Sequence, residues 1–103
     1  MPTARQSRTP LCLPVSVGRK MAALSTDVST KGFCLEVMKP VAEGTPIDGY
    51  VLHGDRELDW RGEVVWVEQA NPQASHWSRI GVKFTWMSPG LRALFSLEKR
   101  RRK

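Results

Sequence analysis

Asp27, Ser29 and Gly32 are the residues best suited to chemistry, and they are spaced as D-x-S-x-x-G within the stretch STDVSTKGF. On either side of this stretch the chain alternates between apolar and polar residues, as a half-buried strand does. Asp and Ser side chains hydrogen-bond nearby backbone N–H groups, and glycine adopts conformations that other residues resist. The stretch therefore predicts a turn between two strands, and it leaves open a second role in binding a ligand.

A carboxylate such as that of Asp27 can accept paired hydrogen bonds from N1–H and N2–H of guanine, a geometry that adenine does not offer. A complete site would also need a group that pairs with phosphate and stacks on a base, and the planar guanidinium of arginine does both. Arg5 and Arg8, in the segment ARQSR, lie just ahead of the first apolar run. N-terminal arginines are also common in solvated tails, so both interpretations stay open here.

The elements that must hold these residues are short strands. Alternation with a period of two predicts strands over residues 11–17, 21–29, 32–40, 46–52, 57–69 and 78–86. Gly54 favours a hairpin turn, and Gly62 indicates a bulge or a close approach of two strands. In the long strand that contains Gly62, the predicted interior residues are Leu58, Trp60, Val64 and Trp66.

The last segment, SPGLRALFSLEKRRRK, predicts a helix. Ser88 is suited to the N-cap and Pro89 to the first helical position, while Leu91 and Phe95 lie on one apolar stripe. Six strands followed by one helix predict an all-β or β-rich fold, a small barrel closed by a C-terminal helix.

The length of 103 residues and the charge distribution predict one domain with basic ends. The net charge is +6, yet residues 11–98 carry nine Lys and Arg against ten Asp and Glu. We therefore divide the chain into a flexible basic N-terminal arm (1–10), a barrel with its helix (11–98) and a basic tail (99–103). A nearly neutral body argues against a broad nucleic-acid-binding face.

No constellation in the sequence predicts catalysis or a metal site. His53 and His76 have no Cys or His partner at metal-ligand spacing, and no catalytic or phosphate-loop motif is present. Asp55, Glu57 and Asp59 form an alternating acidic row, which is typical of a solvated strand face. We therefore expect a protein that is not an enzyme and binds no metal.

Composition also predicts the compartment. Cys12 and Cys34 each lie in an apolar run without a C-x-x-C partner, so we expect two reduced core thiols. No run of about 18 apolar residues is present, and the polar, basic N-terminus does not resemble a secretory signal. We expect a cytoplasmic protein with no membrane partner.

Taken together, these pieces resemble the PilZ domain family. RTPLCLPVSV, DVSTKG before FCLEV, GEVVWV and RIGVKF follow one another as in that family, and the resemblance covers about residues 5–98. It implies a bacterial six-stranded antiparallel β-barrel with a C-terminal α-helix, a receptor for the second messenger cyclic di-GMP with no cofactor. The family signature is R-x-x-x-R followed by [D/N]-x-S-x-x-G. The second part is met in full, whereas Arg5 and Arg8 are three residues apart, not four.

The resemblance implies a role for each part of the site. Arg5 and Arg8 would stack on guanine and pair with its phosphates, Asp27 and Ser29 would take the guanine edge, and Gly32 would let the ligand approach the backbone. The arm would order around the ligand, and an unidentified protein effector would read the new surface. Calorimetry would then give micromolar and not nanomolar affinity, because the arginine pair is displaced.

Two other functions stay open. A degenerate PilZ-like barrel could serve as a protein-interaction adaptor that binds no nucleotide, with Trp77 as an exposed aromatic anchor. A basic tail such as EKRRRK could also bind polyanions weakly and with strong salt dependence. The body lacks the basic and aromatic strand face that nucleic-acid-binding barrels use, so nucleic acid is the least expected partner.

Overall fold

The computed structural model describes residues 9–18, 20–39, 41–69 and 77–101. Within these ranges the chain forms seven strands and one helix. They are β1 (Thr9–Pro10), β2 (Pro14–Val17), β3 (Met21–Val28), β4 (Gly32–Val37), β5 (Pro46–His53), β6 (Arg56–Glu68), β7 (Ser78–Met87) and α1 (Pro89–Arg101). No helix in the described ranges has the length and apolar character that crossing a bilayer requires.

Strands β2 to β7 close into a barrel. Each pairs with two neighbours, in the circular order β2–β3–β4–β7–β6–β5 and back to β2, and every pairing is antiparallel. Closure satisfies the backbone groups that would otherwise lie along open sheet edges. β1 continues the line of β2 along β3 as a two-residue extension. The predicted class, an all-β six-stranded antiparallel barrel with a C-terminal helix, is confirmed.

The barrel is filled by the inward-facing residue of each alternating pair. A cluster of rings lies in this core, where Phe33 contacts Trp60 edge-on at 5.1 Å and Phe84 at 4.8 Å between ring centroids. The helix contributes Phe95, whose ring lies 6.3 Å from that of Phe33. The other fully buried side chains include Val28, Leu35, Val37, Val51, Val64, Ile80 and Leu91.

Helix α1 begins as the sequence predicts. The hydroxyl of Ser88 accepts a hydrogen bond from the backbone N–H of Leu91 (3.4 Å), and its carbonyl accepts one from Arg92 (3.0 Å). Pro89 occupies the first helical position, where its missing N–H leaves no helical bond unmade. The helix continues to Arg101, past residue 98, after which the predicted tail begins.

The sequence prediction fails at Trp66, which is half-buried and not interior. The ladder between β6 and β7 shifts register between Val64 and Trp66, and this bulge reverses which residues face the core. The indole instead covers Gly81, since a Cβ built on that glycine would lie 2.1 Å from the indole nitrogen. Gly62 does mark a register shift, as predicted.

Two further expectations concern the burial of the cysteines and the division of the chain. Cys34 is buried as expected, whereas Cys12 is exposed, because Leu11 and Leu13 take the positions packed against the core. Residues 1–8 of the predicted arm and residues 102–103 of the predicted tail lie outside the described residues, so the division into arm, barrel and tail stays a prediction.

Candidate functional site

The D-x-S-x-x-G motif forms the end of β3, the hairpin loop and the first residue of β4. Within the loop, the Ser29 N–H donates to the carbonyl of Gly32 (2.9 Å), and the Ser29 hydroxyl donates to the same carbonyl (3.2 Å). That hydroxyl also accepts from the backbone N–H groups of Lys31 (3.1 Å) and Gly32 (3.2 Å). A hydroxyl has one proton and two lone pairs, so Ser29 uses its full capacity to shape the loop.

Gly32 is required by close packing. It is not among the glycines with positive φ, so the unusual backbone conformation expected from the sequence is absent. A Cβ at this position would lie 2.1 Å from the carbonyl oxygen of Val82 on β7, a backbone atom that cannot move aside alone. Only glycine lets β4 pair with β7 at this distance.

A bulge in β3 turns Asp27 out of the barrel. β3 pairs Ser25 with Leu35 and then Asp27 with Cys34, so Thr26 is an extra residue on this side of the ladder. Ser25 is 1% exposed and faces inward, and uninterrupted alternation would place the carboxylate of Asp27 inside as well. With the bulge, Val28 fills the interior and Asp27 is half-buried on the outer side.

The N-terminal segment runs along the same part of β3. Pro10 pairs with Asp27 and Thr9 with Val28, so β1 lies directly beside the motif. Arg8 precedes Thr9 in the chain, but Arg5 and Arg8 themselves lie outside the described residues. The described strand β1, which follows Arg8 in the chain, thus lies beside the D-x-S-x-x-G motif.

Ser25, which is not part of the D-x-S-x-x-G motif, joins the N-terminal segment to β3. Its hydroxyl donates to the carbonyl of Leu11 and accepts from the N–H of Leu13 (2.9 Å). The sequence carries one signal for such a role, because Ser25 is a polar residue at an inward position of an otherwise alternating strand. Its partners could not be read from that pattern.

Two open grooves lie on the outer wall of the barrel. One, of about 550 Å³, is mainly apolar and lies across β2, β3 and β5, with Leu24, Tyr50, Leu52 and Trp77 in its walls. The other, of about 590 Å³, lies across β5, β6 and β7. In the second groove the guanidinium carbon of Arg61 lies 5.6 Å from the ring centroid of Trp86. Trp77 therefore borders an apolar surface, although it is partly buried.

The chain is therefore a small closed six-stranded antiparallel barrel, with a helix packed against its core and an N-terminal strand beside a polar hairpin loop. The model of the PilZ domain family matches residues 3–96, and the chain belongs to that family. PilZ domains are binding and adaptor domains.

The solved structures include a similar fold. The structure of Bacillus subtilis Inhibitor of motility (MotI/DgrA) superposes with a TM-score of 0.77 at 15% sequence identity, covering 97% of this chain and 51% of that one. The chain thus spans about half the length of that protein, and at this identity the likeness shows the fold alone. Among curated proteins no significant match was found.

We predict that Ser29→Ala lowers the free energy of unfolding without any ligand present. The change leaves two backbone N–H groups of the loop without their acceptor, and each such loss costs about 1 kcal/mol. Urea unfolding should show a loss of about 1–2 kcal/mol. Thr30→Ala, in the same loop, is the control and should stay within about 0.5 kcal/mol of the wild type. Equal stabilities of the two variants would contradict the structural role of the Ser29 hydroxyl.

Proposed function

We propose that this PilZ domain is a cyclic di-GMP receptor that signals to a protein partner in the bacterial cytoplasm. One observation supports the proposal: β1, the strand that follows Arg8 in the chain, pairs with β3 at Asp27. The two parts of the family signature are separated by about twenty residues in sequence. They are nevertheless joined to adjacent strands, because β1 follows the arginine segment and β3 contains Asp27. The proposal assigns binding and not catalysis.

Asp27 is the residue that recognises guanine in this proposal. Its carboxylate lies on the outer side of the barrel and accepts the N1–H and N2–H donors of the base. Ser29 contributes by holding the loop, since its hydroxyl is already fully used within it. Gly32 lets the chain pass close to β7, and it leaves the loop backbone without a side chain at that point.

The arm supplies the charge that the ligand needs. Arg5 and Arg8 bring two guanidinium groups toward a ligand with two phosphates, and they stack on the guanine bases. In an extended segment, residues four apart project to the same side, whereas residues three apart project to opposite sides. The displaced spacing therefore weakens simultaneous contact by both arginines, and we expect micromolar affinity.

Asp27→Ala and Asp27→Asn should both weaken binding of cyclic di-GMP in calorimetry. Loss of paired hydrogen bonds to a base edge costs about 1–3 kcal/mol, which is roughly a tenfold to hundredfold rise in Kd. Asp27→Asn keeps the side-chain size and so separates recognition from folding. Asp55→Ala, an exposed aspartate in the turn between β5 and β6, is the matched control and should bind as the wild type does. A folded wild-type protein that gives no heat at high micromolar ligand would refute the proposal.

Restoring the spacing of four should tighten binding, and two variants identify which arginine matters. Ala4→Arg creates the four-residue spacing with Arg8, and Thr9→Arg creates it with Arg5. Because Thr9 is already paired with Val28 in β1, we expect Ala4→Arg to lower Kd by about tenfold, the equivalent of one charge-assisted contact of about 1.4 kcal/mol. Ala4→Lys is the control for charge without the planar fork. Equal tightening by lysine would show a purely electrostatic effect.

A second candidate function is a PilZ-type protein adaptor that binds no nucleotide. The observation in its favour is that Ser29 and Gly32 both have structural roles that need no ligand. The apolar groove beside Trp77 offers the surface that such an adaptor needs.

If the adaptor function holds, partners captured from a lysate should be unchanged by cyclic di-GMP and lost on Trp77→Ala. Trp86→Ala removes a tryptophan from the other groove and is the matched control. Capture that requires cyclic di-GMP, or that survives Trp77→Ala, would contradict the adaptor function.

A further inference from the structure

We infer that Ser25 is a positioning residue of the ligand site, whose hydroxyl fixes the register on β3 of β1, the strand that follows the arginine segment. This inference rests on the proposed function, because the arm matters only if it contacts the ligand. Ser25 belongs to neither part of the family signature, and it is 1% exposed, so it does not contact the ligand itself. It acts through the backbone of the N-terminal segment.

The Ser25 contact lies where the pairing of the N-terminal segment with β3 is interrupted, between β1 and β2. β3 pairs Leu24 with Pro14 and Asp27 with Pro10, so three steps along β3 face four steps along the N-terminal segment. The segment therefore carries one extra residue between β1 and β2. Without another constraint, the N-terminal segment could shift its register on β3 by one residue and place the extra residue elsewhere.

The Ser25 hydroxyl bonds the backbone between β1 and β2, where the ladder is interrupted. It donates to the Leu11 carbonyl and accepts from the Leu13 N–H, while the Ser25 N–H donates to the Leu13 carbonyl (3.0 Å). The Leu11 N–H in turn donates to the carbonyl of Thr26 (3.2 Å). One buried side chain thus bridges both ends of the extra loop of backbone and determines the register of β1.

Because Arg8 is joined to Thr9, the register of β1 sets the point on β3 from which the arginine segment extends. A slip of one residue moves the segment by about 3.3 Å along β3 and turns each side chain to the opposite side. Such a slip would leave the loop hydrogen bonds of Ser29 and the position of Asp27 in β3 intact. Ser25 therefore controls the arginine half of the site separately from the guanine-recognising half.

The first test needs no ligand. In Ser25→Ala, hydrogen exchange of the Leu13 amide should accelerate at least tenfold, while exchange of the Gly32 amide, which Ser29 holds, should not change. Ser16→Ala, a serine on neighbouring β2, is the control and should change neither amide. Unchanged protection of Leu13 in a folded Ser25→Ala protein would overturn the inference whether or not the protein binds cyclic di-GMP.

The second test uses a double-mutant cycle with cyclic di-GMP in calorimetry. We expect Ser25→Ala to raise Kd about tenfold alone, and to add nothing further in the presence of Arg8→Ala, because both act through the arm. Combined with Asp27→Asn, its effect should add in full. Ser25→Thr retains the hydroxyl and should restore both Leu13 protection and affinity.

The results of these tests distinguish failure of the positioning role of Ser25 from failure of the receptor function. An additive effect of Ser25→Ala on Arg8→Ala, or normal affinity despite lost Leu13 protection, would overturn the positioning role while leaving the receptor function intact. A wild-type protein that binds no cyclic di-GMP would instead refute the receptor function, and with it any role of Ser25 toward that ligand.

Discussion

The register shift in β3 at Thr26 is the constraint on which the candidate site depends. A barrel strand has one side in the core and one outside, and a single extra residue exchanges the two. Before the shift, Ala23 and Ser25 face inward; after it, Val28 does. Without the shift the barrel would have to bury the carboxylate of Asp27, at a cost of several kcal/mol unless it were paired. The bulge therefore allows β3 to contribute to an apolar core and to carry the carboxylate of Asp27 on its outer side.

The same short region meets three structural demands at once. The loop after β3 is held by the hydroxyl of Ser29, the close pairing of β4 with β7 requires Gly32, and the N-terminal segment is held by the hydroxyl of Ser25. Two of these three residues belong to the signature by which the family is identified. A signature residue is thus not by itself a ligand contact, because Ser29 and Gly32 have roles within the fold that need no ligand.

Much of this was predictable from sequence where local rules suffice. Period-two alternation located the six barrel strands, and the Ser-Pro pair located the start of α1, because each depends on neighbouring residues. The errors occur where one residue is inserted into a ladder. Trp66 was expected in the interior and is half-buried on the outer side. A bulge depends on how a strand pairs with its partner, so the sequence of the bulged strand alone does not reveal it. The role of Ser25 was unpredictable for the same reason, as its partners lie twelve and fourteen residues away.

If the proposed receptor orders its arginine arm on binding, the loss of conformational entropy limits how many residues can become ordered. Fixing the backbone of one residue costs about 1–2 kcal/mol, so ordering residues 1–8 would cost roughly 8–16 kcal/mol. Hydrogen bonds to charged groups contribute about 1.5–3 kcal/mol each, and two forked arginines making two bonds apiece reach roughly 6–12 kcal/mol. The balance favours ordering only residues 5–8, at roughly 4–8 kcal/mol. Thr9 and Pro10 are already paired with β3, so under this proposal no ordering cost falls on them when the ligand binds.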